Sequence, residues 1–122
     1  MSIILDKVSH VYSPGNAYET TALSNVSLKI EDNEFMILLD LHGTMMDSIK
    51  FASLIDNKMT NGYSSFCFVI GGSYGVSEAL RKRANTKLCL SMMTFTHQFT
   101  RIIILEQIYR AFKINNNEVY HK

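Results

Sequence analysis

Phe66-Cys67-Phe68-Val69-Ile70-Gly71-Gly72 runs five apolar residues into two glycines with no polar residue between them. A strand buried on both faces reads this way, and parallel sheets covered by helices supply such burial. The pattern has a precedent upstream, where Phe35-Met36-Ile37-Leu38-Leu39 follows a tight turn at Asp32-Asn33 and is expected to end over Asp40 to Gly43. Between these two strands, Ile49, Ala52, Leu54, Ile55 and Met59 recur near helical spacing from Asp47 to Met59. Asp47 or Ser48 can cap that helix and Asn61-Gly62 can stop it. Downstream, Ser77-Glu78-Ala79-Leu80 opens a basic helix, Leu88 to Ser91 is a short third strand, and Thr94 to Thr96 leads into a long helix from His97 to about Ile114. Alternating strands and helices predict an α/β layered domain. Right-handed crossovers make its sheet mostly parallel.

Ahead of this block the pattern differs. Ile3 to Tyr12 alternates roughly apolar and polar, Ser13-Pro14-Gly15-Asn16 is a turn cluster, and Ala22 to Ile30 alternates again through Leu23, Val26, Leu28 and Ile30. Two strands joined by a loop are expected there, so residues 1–36 form a β-rich leader and residues 37–122 the α/β region.

A chain of 122 residues has room for one domain with a substantial core. Its 47% hydrophobic and 19% charged content, with a single proline, excludes disordered and collagen-like classes. The apolar runs Phe66 to Ile70 and Ile102 to Leu105 are far shorter than the ~20 residues that span a bilayer, so no membrane segment is expected. Met1 to Asp6 has neither the basic nor the long apolar part of a signal peptide, which predicts a cytoplasmic protein. Cys67 and Cys89 sit in apolar stretches without a C-x-x-C, and His10, His42, His97 and His121 show no ligand spacing. Both cysteines read as reduced core residues and no metal is expected.

The net charge of +1 conceals an asymmetry. Residues 1–76 carry four Lys and Arg against eight Asp and Glu, whereas residues 77–122 carry eight against three. Arg81, Lys82, Arg83, Lys87, Arg101, Arg110, Lys113 and Lys122 can meet a phosphate backbone or simply form a solvated face, and charge alone does not choose between them.

Ligands of open parallel sheets bind beyond the carboxyl ends of the strands, so the loops Leu39 to Gly43, Gly71 to Gly75 and Leu90 to Phe95 should converge on one site. Gly71 and Gly72 allow a ligand close to the backbone, or serve only as turn residues. Their Gly-Gly-x-x-Gly spacing matches neither the dinucleotide fingerprint nor a phosphate loop.

Three runs and the chain end go further than spacing. Phe68-Val-Ile-Gly-Gly-Ser-Tyr-Gly-Val-Ser77, Leu90-Ser-Met-Met-Thr-Phe-Thr-His97, Leu105-Glu-Gln-Ile-Tyr-Arg-Ala-Phe-Lys-Ile114 and the ending Tyr120-His-Lys122 together resemble the RlmH family. Those are SPOUT-class methyltransferases that methylate a pseudouridine in large-subunit ribosomal RNA. The resemblance runs from about Ile37 to the last residue. It implies a SPOUT-like, mostly parallel sheet with a C-terminal trefoil knot, in which the short β-rich leader replaces the family's N-terminal part.

The resemblance also implies the site. S-adenosylmethionine would be held by backbone groups at Leu39, at Gly71, and along Leu90, Ser91, Met92, Met93, Thr94 and Phe95. The family usually has Lys where Met92 stands and Pro where Thr96 stands; Thr96 can cap the last helix instead. His97 and Arg101 are implied RNA contacts. Tyr109, Arg110 and His121 are implied to act at the target base, His121 as the proton acceptor; the alternative places Tyr109 in a dimer interface and leaves His121 on a frayed terminus. The last helix is apolar over a broad arc through Phe99, Ile102, Ile103, Leu105, Ile108, Tyr109 and Phe112, wider than one core-facing stripe. A homodimer is expected, with ribosomal RNA of the large subunit or assembled ribosome as partner and no membrane.

Residues 1–36 look like something else. Ser2-Ile-Ile-Leu-Asp-Lys-Val-Ser-His-Val-Tyr-Ser-Pro-Gly15 and Ala22-Leu-Ser-Asn-Val-Ser-Leu-Lys-Ile-Glu31 resemble the opening of an energy-coupling-factor ABC transporter ATPase. No G-x-x-x-x-G-K-[ST] follows between Leu39 and Ser48, so ATP binding is not expected. The functional expectation is an S-adenosylmethionine-dependent methyltransferase of ribosomal RNA. Its rival is a non-catalytic fusion remnant that keeps at most cofactor binding or dimerisation.

Overall fold

The computed structural model describes residues 3–12, 15–17, 19–71 and 75–121. Gly72, one half of the glycine pair, lies outside the described residues. Two compact units are present, Met1–Asp32 and Asn33–Lys122. The first contains β1 (Ile3–Tyr12) and β2 (Thr20–Ile30), which pair antiparallel with Ile3 opposite Ile30 and Tyr12 opposite Thr20. Their register slips three times between Leu5 and Val11, and Lys7 and Asn25 take positive φ of 50° and 52°. These are bulges, which bend a ribbon and raise its twist.

The second unit alternates strand and helix through β3 (Phe35–Met45), α1 (Ser48–Thr60), β4 (Phe66–Ile70), α2 (Glu78–Arg83), β5 (Thr86–Cys89) and α3 (His97–Asn115). Its strands lie in the order β4-β3-β5, both pairings parallel. Of the two apolar runs expected to lie buried inside a sheet, only the upstream one does so: Met36, Ile37 and Leu38 in the central strand are the largest fully buried side chains among the described residues. Phe66–Ile70 instead forms the edge strand β4, which among the described residues lacks a neighbour on its outer side and is only half-buried along its length. Phe35 and Met36, which the sequence reading left at the end of the leader, open β3 and are buried in this unit.

Helix α1 begins where its cap demands. Asp47 accepts the backbone N–H of Lys50 at 2.8 Å, and Asn61 closes the last turn by donating to Asn57 O at 3.0 Å. Phe51, Ala52 and Ile55 then bury one face in a cluster with Phe35, Ile37, Leu88, Ile104 and Ala111. Each large side chain there contributes about 1.5–3 kcal/mol of burial. Two polar clasps fix α1 against α3. Ser48 Oγ donates to Gln107 Oε1 at 2.7 Å at the start of α1, and one turn later Ala52 O accepts Asn115 Nδ2 at 3.0 Å.

The bounds of two strands also differ from expectation. β3 does not end over Asp40 to Gly43: it bulges there and resumes, because Leu39 and Thr44 both pair with Leu88. The second contact requires glycine at 43, where an added Cβ would stand 2.7 Å from Lys87 C and 2.8 Å from Leu88 N. β5 begins at Thr86 rather than Leu88 and ends at Cys89. Asn85 sets this register by donating its N–H to Met36 O at 2.9 Å while its Oδ1 accepts Met36 N–H at 2.7 Å. Leu90 and Ser91, expected in the strand, belong instead to the irregular segment that follows.

Candidate functional site

The bulge of β3 and the carboxyl ends of β4 and β5 open on one cleft of about 320 Å³, within the range of small-molecule sites. Leu39 from β3, Gly71 beyond β4, and Leu90, Ser91, Met93, Thr94 and Phe95 beyond β5 all line it. Seven of the eight residues expected at a cofactor are thereby brought together. Met92, the eighth, is 85% exposed and outside the lining. A Cβ at Gly71 would come within 3.0 Å of Val76 Cγ1, so the turn after β4 is close-packed there.

The cleft has apolar walls from Leu38, Ile70, Leu88 and Leu90, and a charged pair in Asp40 and Arg81. Arg81 Nη1 donates to Asp40 Oδ2 at 2.8 Å. The His42 backbone N–H donates to Asp40 Oδ1 at 3.1 Å. The His42 hydrogen bond first, and the Arg81 charge with it, outweigh burial and hold the Asp40 carboxyl below the usual carboxylate range. Asp40 lies in the expected ligand-binding loop Leu39 to Gly43, whereas its partner Arg81 carries no sequence signal beyond its place in a basic helix.

Helix α3 starts on the cleft. Thr96 Oγ1 accepts the N–H of Phe99 at 3.4 Å, which makes Thr96 the cap, and His97 and Thr100 in the first turn line the pocket. Arg101 is exposed and lies outside the lining.

A second cluster sits on the last turns of α3. Asn117 takes φ +58°, its N–H donates to Ile114 O at 3.1 Å, and Glu118 N–H donates to Lys113 O at 2.8 Å. This pair of bonds around a left-handed residue is a Schellman cap, which turns the chain back on the helix. Tyr120 packs edge-on to Tyr109 at 5.0 Å, and the Arg110 guanidinium lies 5.0 Å from the Tyr120 ring centre. Glu106 Oε1 accepts Arg110 Nη2 at 2.6 Å, Arg110 Nε at 2.9 Å and Tyr120 OH at 3.2 Å. Those bonds, Arg110's foremost, lower the Glu106 carboxyl from its ordinary range. Arg110 Nη1 also lies 3.0 Å from His121 Nδ1. Tyr109, Arg110 and His121 are thus assembled in one network, and His121 is docked on the helix. The residue missed was Glu106, whose i, i+4 spacing to Arg110 was its available signal.

Cys67 and Cys89 are free thiols. Burial, the largest influence, pushes the Cys67 thiol up. Among the described residues no helix is long and apolar enough to cross a membrane.

A family described as "Predicted SPOUT methyltransferase" matches residues 8–121. The match takes in most of the leader, and the transporter-ATPase resemblance of residues 1–36 finds no support. Ribosomal RNA large subunit methyltransferase H of Clostridium botulinum (strain Eklund 17B / Type B) is 50% identical over 117 residues, covering 90% of this chain and 74% of that protein. The protein of the same name from Clostridium acetobutylicum is 52% identical over 93 residues, covering 76% of this chain and 58% of its own length. A third, from Clostridium beijerinckii, is 51% identical over 94 residues, covering 77% and 59%. With a parallel α/β sheet, a cleft at its strand ends and a family match over nearly the whole length, this chain belongs to the SPOUT methyltransferase family.

Proposed function

We propose that the protein methylates N3 of a pseudouridine in large-subunit ribosomal RNA, using S-adenosylmethionine, in the cytoplasm. The observation that carries the reading is the convergence of Leu39, Gly71 and the segment from Leu90 to Phe95 on one cleft, in a chain half identical to named large-subunit methyltransferases. The cleft fits the cofactor in volume, and its apolar walls suit a flat adenine. When bound there, S-adenosylmethionine supplies a methyl group already activated on a sulfonium. The chain's own contribution is alignment and exclusion of water.

In this reading the segment from Leu90 to Phe95 belongs to a C-terminal trefoil knot, and capture by backbone groups tolerates the exposed Met92. His97 and Arg101 contact the RNA. Tyr109, Arg110 and His121 act at the target base, held together by Glu106. The protein works as a homodimer, in which α3 of one subunit packs on its partner. What supports the dimer is the division of α3 into two apolar faces: Ile104, Ile108 and Ala111 pack inward, while Phe99, Ile102, Leu105 and Phe112 stay 44–63% exposed. A dimer covers such a face and brings one subunit's basic residues to the other's cofactor.

The test is a calorimetric titration with S-adenosylmethionine, followed by methyl transfer to ribosomes lacking the modification. Saturable binding and transfer are expected. Binding without transfer would favour the non-catalytic reading, and no binding by the folded protein would remove the cofactor from the cleft.

A further inference from the structure

The hydrogen bond between Arg110 Nη1 and His121 Nδ1 at 3.0 Å has only one direction. A guanidinium donates and has no acceptor, so Nδ1 must be the lone-pair nitrogen. The ring hydrogen then resides on Nε2. Glu106 fixes this arrangement, since Nε and Nη2 of Arg110 both end on Glu106 Oε1 and leave Nη1 to face the imidazole. Tyr120, the neighbour of His121, is anchored to the same carboxylate oxygen through its hydroxyl.

We propose that His121 presents Nε2–H to the substrate as a hydrogen-bond donor rather than serving as its base, and that Glu106, through Arg110, is the positioning residue that sets this tautomer. The inference rests on the reading of this cluster as the place where the target base reacts. An imide nitrogen becomes nucleophilic when its N–H proton leaves, and the resulting negative charge spreads onto the two flanking carbonyl oxygens. A donor aimed at one of those oxygens stabilises that charge as it develops, as an oxyanion hole does. In this scheme the imide proton passes to water or hydroxide. The Nε2 proton stays on His121, and the new bond forms from nitrogen to the methyl carbon as the carbon–sulfur bond breaks.

The tautomer can be read without activity. In the full-length protein labelled with nitrogen-15 histidine, long-range proton–nitrogen correlations distinguish Nδ1–H from Nε2–H, and His121→Gln identifies which of the signals belongs to His121. The expected result is a His121 signal of the Nε2–H form that becomes a tautomer mixture in Glu106→Ala. A native signal of the Nδ1–H form, or one unmoved by Glu106→Ala, overturns the proposal. For transfer, His121→Gln keeps an N–H donor but no base, so it should exceed His121→Ala by roughly tenfold or more in kcat. Equal loss in the two variants overturns the donor role. Absence of transfer by the native protein would defeat the functional reading and the donor role that rests on it, whereas a tautomer set by Glu106 would stand on the nitrogen signals.

Discussion

Asp40 and Arg81 lie 41 positions apart and meet at 2.8 Å on the wall of the cleft, where the Asp40 side chain is only 9% exposed. The pair joins the bulge of the central strand to the helix that follows β4. The bulge departs from strand geometry between Leu39 and Thr44, and the ion pair and the His42 N–H together fix where it goes. Because Leu39 stands at its base, the shape of the cleft depends on an interaction that ties one expected ligand-binding loop to a residue outside all three.

Asp40→Asn should therefore destabilise the protein by about 1–2 kcal/mol near neutral pH, between the values typical of exposed and buried pairs. The folded-state pKa of Asp40 is depressed, so its stabilisation is fully present above the ordinary carboxylate value of about 4 and is lost as pH falls through the lower folded value. Denaturant unfolding at a series of pH values should show a smaller acid-side loss in Asp40→Asn than in the native protein. Parallel curves would show that Asp40 carries no such linkage.

Gly43→Ala tests the second half of the bulge. The added Cβ would meet backbone atoms of Lys87 and Leu88 at 2.7–2.8 Å, and a backbone cannot swing aside as a side chain does. A loss of at least about 2 kcal/mol is expected, with the melting temperature falling by roughly 10 °C. An unchanged melting temperature would mean that the return pairing of Thr44 with Leu88 contributes nothing.

Thr96→Ala removes the side-chain acceptor from the first turn of α3. The bond to Phe99 N–H is long at 3.4 Å, which places the expected loss at the low end for a cap, about 0.5–1 kcal/mol. Since His97 and Thr100 of that turn line the cleft, faster amide exchange at Phe99 should accompany weaker ligand binding. Thr96→Ser, which keeps the acceptor, should show neither effect.

What the sequence made legible was local or topological. Continuous apolar runs located β3 and β4, capping residues located α1 and α3, and parallel connection predicted which loops would share a site. What it concealed depended on contacts distant along the chain. Asp40 to Gly43 looks like a terminator, and only the approach of Gly43 to Lys87 and Leu88 turns it into a bulge. Thr86 and Lys87 carry no apolar signal, so β5 takes its start from the Asn85–Met36 clasp instead. Met92 sits amid five cleft residues, yet its exposure reflects the path of an irregular segment that spacing does not encode. The docking of His121 was not legible, because Tyr120 and Arg110 had to meet Glu106 for the chain to fold back.

The exposed face of α3 gives the last prediction. Ile102 is 63% exposed and stands on the opposite side of the helix from Ile104 and Ala111, which pack in the core. A glutamate at 102 leaves the inward packing intact but puts an unpaired charge on the apolar face proposed to meet a second copy, where its desolvation would have no compensating partner. Sedimentation should find the native protein dimeric and Ile102→Glu monomeric, with the helix content of both unchanged by circular dichroism. Methyl transfer should fall with the dimer. A native monomer, or a variant that dimerises as well as the native protein, would assign this apolar face to something other than a second copy.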